Sequence, residues 1–284
     1  MTGPVIAGAP GDGALVLGRW FADRLGVPLI VAVVHPAPAA IGSGRVDAEW
    51  VADRHRAAEQ VLDDARAVLS DTAGPVEYRS VASSSAAHGL HDLAEQTGAA
   101  LIVAGSGRDA PRGRLHPGST AERLLAGSVC PIAVAPADAG TPGDRGLIGV
   151  AYVDTPDGRA ALAEAARLAG RTGGRLRLYT VVAEGDAAVP FLLGQDAERA
   201  FMETARETYE RALESAAATV PGTAADWRVL PGDVVETLAD LDEVDVLFCG
   251  SRGYGPTRRV LLGGVSNRLI RRARRPVVVV PRSG

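Results

Sequence analysis

The sequence predicts an α/β protein of two tandem domains, each a doubly wound parallel sheet. Short apolar runs alternate with longer amphipathic segments along the chain, the pattern of strands joined by crossover helices. The two halves superimpose when slid by 145 residues, which places Gly250 on Gly105 (250 − 105 = 145). Repetition on this scale marks a duplicated unit. A length of 284 residues, with 46% apolar residues and charge of both signs, suits two globular domains of ordinary size.

The elements follow in order. At the 145 offset, residues 5–8 fall on 150–153, each an opening strand before a turn that contains Asp12-Gly13 or Asp157-Gly158. Helical spacing comes next, carried by Leu15, Trp20 and Leu25 in one half and Leu162, Ala166 and Leu168 in the other. The runs 29–34 and 176–182 are short and rich in β-branched residues, as strands are. Loops 36–45 and 183–195 lead into long charged helices, 47–70 and 196–218. Third strands are expected at 76–81 and 225–230, third helices at 87–96 and 234–241, and fourth strands at 101–104 and 246–249. Each half closes with a strand between prolines, 132–135 and 277–280. The turn-rich stretch 136–146 marks the junction, so the domains are expected at 1–138 and 145–284. In such folds, ligands bind at the carboxyl ends of the strands.

Composition excludes several chemistries. All 30 basic residues are arginine, which leaves no lysine for a Schiff base or a Walker A phosphate contact. The only cysteines, Cys130 and Cys249, make no disulfide framework, and no charged-then-apolar leader opens the chain. A cytoplasmic location is the expectation. No apolar run approaches the roughly 18 residues of a membrane span, so no membrane partner is expected.

The most informative stretch is 250–266, GSRGYGPTRRVLLGGVS, between the buried run 246–249 and the helical spacing of 267–275. Gly250, Gly253, Gly263 and Gly264 remove Cβ atoms where backbone must approach a ligand. The following helix start offers free N–H groups to phosphate, and Ser266 adds a hydroxyl. The spacing Gly250, two residues, Gly253, nine residues, Gly263 resembles the nucleotide-binding signature of the universal stress protein family. The repeat extends the resemblance over nearly the whole chain, twice.

That resemblance implies the site. It carries over Asp154 at the end of the opening strand, facing the nucleoside, and the backbone of Val181 and Cys249 beside the base. It places Gly250, Gly253, Gly263, Gly264, Val265 and Ser266 around the phosphates. The family has Ser or Thr where this chain has Gly264, so one hydroxyl is missing. A second role for Asp154 is to cap the next helix. The first half has Ala9, Arg108 and Ser119 where the second has Asp154, Gly253 and Gly264, so its loop is degenerate and one functional site is expected, in the second half. Arg108 permits three readings: filling the phosphate site, binding a smaller anion, or standing solvated. The resemblance also implies pairing of the two halves through their closing strands, within one chain or in a homodimer.

Other motifs carry less. His88 and His91 sit three apart on an expected helix, but no third metal ligand stands at useful spacing, and none is expected. The opening GAPGDG is a tight turn without a dinucleotide fingerprint. Nine arginines and no acid follow Asp245. Arg268, Arg271, Arg272 and Arg275 form either a solvated helix end or a surface for an acidic partner, and the lack of interleaved aromatics weighs against nucleic acid.

The resemblance therefore implies a stress-response regulatory module that binds ATP, with magnesium, or a related adenine nucleotide. An unidentified protein partner would read its state. The absence of a lysine, arginine and metal constellation points away from fast phosphoryl transfer. Two other readings stay open: an interaction scaffold of the same fold that has lost nucleotide binding, and a related adenylyl-transfer ligase. The ligase loop after the first strand is matched by neither GAPGDG nor residues 154–158.

Overall fold

A computed structural model of the chain describes residues 3–37, 48–72, 74–107, 110–111, 113–137, 142–182, 195–251 and 263–281, with side chains at 48–51 and 195–202 left out. The chain divides into two compact units, Met1–Pro142 and Gly143–Gly284.

In the first unit, β1 (Val5–Ala9), α1 (Asp12–Leu25), β2 (Leu29–Pro36), α2 (Ala48–Val68) and β3 (Val76–Ser83) follow one another. Then come α3 (Ala86–Thr97), β4 (Leu101–Gly105), α4 (Ser119–Leu125) and β5 (Ile132–Ala135). The strands are parallel and lie in the order β3-β2-β1-β4-β5. The second unit repeats this with β6 (Leu147–Ala151), α5 (Pro156–Thr172), β7 (Arg175–Val182), α6 (Gln195–Ala218) and β8 (Ala225–Pro231). It ends with α7 (Val234–Ala239), β9 (Val246–Gly250), α8 (Gly264–Leu269) and β10 (Val277–Val280). Its parallel order is β8-β7-β6-β9-β10.

Local sequence explains these elements. The central strands are buried along most of their length, as parallel strands covered on both faces must be. Left-handed Gly26, Gly98 and Gly173 terminate α1, α3 and α5, where a side chain would be strained. Thr155 caps α5 by accepting from Gly158 N–H at 3.1 Å, with Pro156 at the first helical position. The capping role considered for Asp154 therefore belongs to its neighbour.

Sheet register corrects the uniform 145 offset. That value holds for β4 against β9 (246 − 101), but Val5 pairs with Leu101 and Ile148 pairs with Val246, so the opening strands are 143 apart (148 − 5). Residues 5–8 thus correspond to 148–151 rather than 150–153, and β6 ends at Ala151. Leu29 pairs with Val5 and Leu176 with Ile148, which makes the second strands 147 apart (176 − 29). The difference is absorbed in the first helices, because α5 has 17 residues and α1 has 14. A second correction concerns α8, which begins at Gly264 and ends at Leu269, earlier than the 267–275 expected.

One buried group of the first unit has a measurable consequence. Arg19 of α1 is 5% exposed, and its Nη2 meets Asp23 at 2.5 Å while Nε and Nη1 have no hydrogen-bond partner among the described residues. A half-satisfied buried cation is costly, and apolar groups of similar volume commonly do better. Arg19→Met is expected to raise the stability of this unit by about 1 kcal/mol or more. An unchanged or lowered midpoint in urea would show that the guanidinium stabilises the fold.

Candidate functional site

Strand order reverses between β6 and β9, and such a switch point opens a crevice at the strands' carboxyl ends. A cavity of about 240 Å3 lies there. Its walls come from separate segments: Tyr152 after β6, Thr180 and Val181 of β7, and Cys249 and Gly250 of β9. Gly263, Val265 and Ser266 enter from the start of α8, and Asp157 and Gly158 from the first turn of α5. The cavity thus gathers Val181, Cys249, Gly250, Gly263, Val265 and Ser266, all singled out from sequence.

The polar groups around it have defined partners. Ser266 Oγ donates to the Gly250 carbonyl at 2.9 Å, tying the start of α8 to the end of β9. Thr180 Oγ1 donates to the Tyr152 carbonyl at 2.6 Å. Tyr179 donates to Glu243 at 2.7 Å, and Arg177 also holds Glu243, at 2.9 Å. Burial and that carboxylate raise the Tyr179 hydroxyl above its usual range. Burial pushes the Cys249 thiol up to about 12, so at neutral pH it is an uncharged apolar wall rather than a nucleophile.

Asp157 is the carboxylate in this cavity. Its Oδ1 is buried and has no hydrogen-bond partner among the described residues, an acceptor that needs a donor. The sequence placed Asp157 only in a turn; its signal was the adjacent Gly158, whose added Cβ would stand 2.0 Å from the Val153 carbonyl oxygen.

Asp154 stands elsewhere. It is half exposed, accepts from Tyr152 Oη at 3.2 Å, pairs with Arg159, and lines a second cavity. Gly264 opens α8, where an added Cβ would meet nothing within 4 Å. Gly253 and the arginines Arg108, Arg252, Arg258 and Arg259 lie outside the described residues.

The equivalent loop of the first unit is bonded to itself. Ser106 bridges Pro117 in antiparallel fashion, Gly107 N–H donates to the His116 carbonyl at 2.7 Å, and His116 N–H donates to Ser106 Oγ at 3.1 Å. Leu115 within it is fully buried.

Two polar groups outside the cavity have defined partners. On α3, His91, Asp92 and Glu95 bring one ligand atom each within 4.8 Å of one another, and His88 meets Asp92 at 3.4 Å. Asp92 and Glu95, one and four residues after His91, are the neighbours that helical spacing brings to it. Of the terminal arginines, Arg272 pairs with Glu236 at 3.3 Å, Arg274 with Asp240 at 3.1 Å, and Arg275 donates to the Asp242 carbonyl at 2.9 Å. Acids of the preceding α7 segment thus pair with Arg272 and Arg274.

Fold and cavity together define a tandem α/β protein with a crevice at the strand ends of its second unit. The universal stress protein family model matches residues 9–136 and again 146–281. The chain belongs to the universal stress protein family. A universal stress protein of Mycobacterium tuberculosis is 29% identical over 97% of each chain. Among solved structures, a universal stress protein from Archaeoglobus fulgidus superposes with a TM-score of 0.65 at 20% identity, covering 99% of this chain and 97% of that one. The cytoplasmic domain of a prokaryotic cation chloride cotransporter gives 0.52 at 9% identity, covering 99% of this chain and 96% of that one, so the fold alone does not fix a function. Among the described residues, no helix is long and apolar enough to cross a membrane.

Proposed function

We propose that the second unit binds ATP or a related adenine nucleotide, with magnesium, and that the protein is a regulatory module rather than a fast phosphoryl-transfer enzyme. The observation that carries this reading is the convergence of Val181, Cys249, Gly250, Gly263, Val265 and Ser266 on one cavity at the switch point. Small-ligand sites in open α/β sheets lie at such a place. The base would lie beside Val181 and Cys249, the sugar at Asp157, and the phosphates toward Gly263 and Ser266. Binding regulates by its differential affinity for two states of the protein, which a partner reads. The scaffold reading draws support from the first unit, where Ser106 and Gly107 bond to the residues just before α4.

Calorimetric titration with Mg-ATP, on protein freed of carried nucleotide, separates the two. Near one site per chain is expected, whereas no binding and no carried nucleotide establishes the scaffold. Gly264→Ser supplies the missing hydroxyl in open space and is expected to tighten Mg-ATP by roughly 2- to 10-fold, the worth of one net hydrogen bond. Unchanged affinity would place the phosphates away from the start of α8.

A further inference from the structure

The second cavity of the second unit is a larger space, of about 690 Å3, between α5 and α6. Leu162, Ala163 and Ala166 of α5 face Ala212 and Ala216 of α6 across it, and Asp154, Arg159 and Arg211 stand among its walls. The space is a groove open to solvent, with Ala163, Arg211 and Ser215 exposed on its walls, and its alanines leave apolar surface there that an occupant could cover.

The first unit shows what an occupant is like. Counted back from the left-handed glycine caps, Arg19 and Ala166 hold the same position, seven residues before Gly26 and Gly173 (26 − 19 and 173 − 166). The match extends to Ala14 and Leu15 against Ala161 and Leu162, all buried. Arg19 is buried and reaches the chain just beyond α2, where its Nη2 would stand 3.2 Å from a Cβ added at Gly74. An alkyl stem with a polar head is thus buried at this helix position in one unit, where the other has only a methyl group.

We infer that the α5–α6 cavity is a second ligand site, separate from the strand-end crevice, and that it takes a small amphipathic monoanion: an apolar body carrying one carboxylate or sulfonate. The alanine and leucine walls fit the apolar body. The sign of the head follows from the charges lining the cavity, two guanidiniums, Arg159 and Arg211, against the single carboxylate of Asp154. Asp154 already holds Arg159 and the Tyr152 hydroxyl, and Arg211 donates through Nε to the Glu207 carbonyl at 3.3 Å. That last contact fixes the guanidinium's stem while its other N–H groups can meet an anion bidentately. This site does not depend on the nucleotide reading.

The test is a fluorescence titration of the full chain with 1-anilinonaphthalene-8-sulfonate, an apolar sulfonate whose emission rises on desolvation, followed by displacement with decanoate. Saturable binding is expected, displaced by decanoate and indifferent to Mg-ATP. Ala166→Arg, which puts the first unit's side chain into the gap, is expected to weaken it at least tenfold, and Arg211→Ala several-fold. Should Ala166→Arg lower the melting temperature substantially, Ser215→Trp on the exposed rim of α6 is the occluding variant. No saturable binding by the native chain, equal affinity in the occluded variant, or displacement by Mg-ATP would each overturn the assignment. Failure of the nucleotide reading appears separately, as absent Mg-ATP binding with the sulfonate titration intact.

Discussion

Gly250→Ala lowers the stability of the second unit by about 3 kcal/mol, whereas Gly105→Ala changes the first by less than about 0.5 kcal/mol. The two glycines end equivalent strands, β9 and β4, and sequence alone ranks them alike. Their surroundings differ. A Cβ at Gly250 would stand 2.6 Å from the carbonyl oxygen of Asp157 and 2.7 Å from its carbonyl carbon, both backbone atoms in the first turn of α5. Backbone held between a preceding proline and the residue capped by Thr155 cannot step aside, so either α5 or β9 must shift. At Gly105 the first neighbour is the Ala14 side chain at 3.8 Å, an ordinary van der Waals contact. Urea unfolding of each variant, with both transitions resolved, measures the contrast. Equal effects would mean that α5 does not close on β9 as described. The shift of Asp157 would also cost nucleotide affinity.

This pair shows which parts of the molecule were legible in the sequence. The need for glycine at position 250 was visible, but the reason assigned to it was a ligand's approach, and the structure gives α5 as the neighbour. Alternating strands and helices, the closing strands and the duplication were readable because each rests on local pattern. Register was not, because the extra residues of α5 shift the halves from 143 to 147 apart without leaving a mark in the apolar spacing. The same slip places Asp154 three residues beyond the end of β6. The balance of the terminal arginines was also hidden, since the acids that meet Arg272 and Arg274 come from α7, more than thirty positions earlier.

Asp157→Asn raises the dissociation constant for Mg-ATP by about tenfold or more, while Asp154→Asn changes it less than about twofold. The family resemblance ranks these residues in the opposite order. Asp154 is half exposed, already bonded to Arg159 and Tyr152, and faces the α5–α6 cavity. Asp157 lines the strand-end cavity beside Gly250, with a buried carboxylate oxygen that lacks a donor. In the proposed complex a ribose hydroxyl would donate to this carboxylate at its other oxygen, since Oδ1 has almost no accessible surface, and a hydrogen bond to a charged group is worth roughly 1.5–3 kcal/mol. Asparagine keeps the shape of the side chain and removes the charge, so a loss of affinity with an unchanged melting temperature isolates the interaction. The two variants also read the two cavities independently. Asp154→Asn should leave Mg-ATP alone but alter sulfonate binding at the second site, because it frees Arg159 and adds to the positive field there. Asp157→Asn should do the reverse. If Asp154→Asn instead abolished Mg-ATP binding, the nucleoside would sit against the end of α5 nearest Arg159, and the two cavities would have exchanged roles.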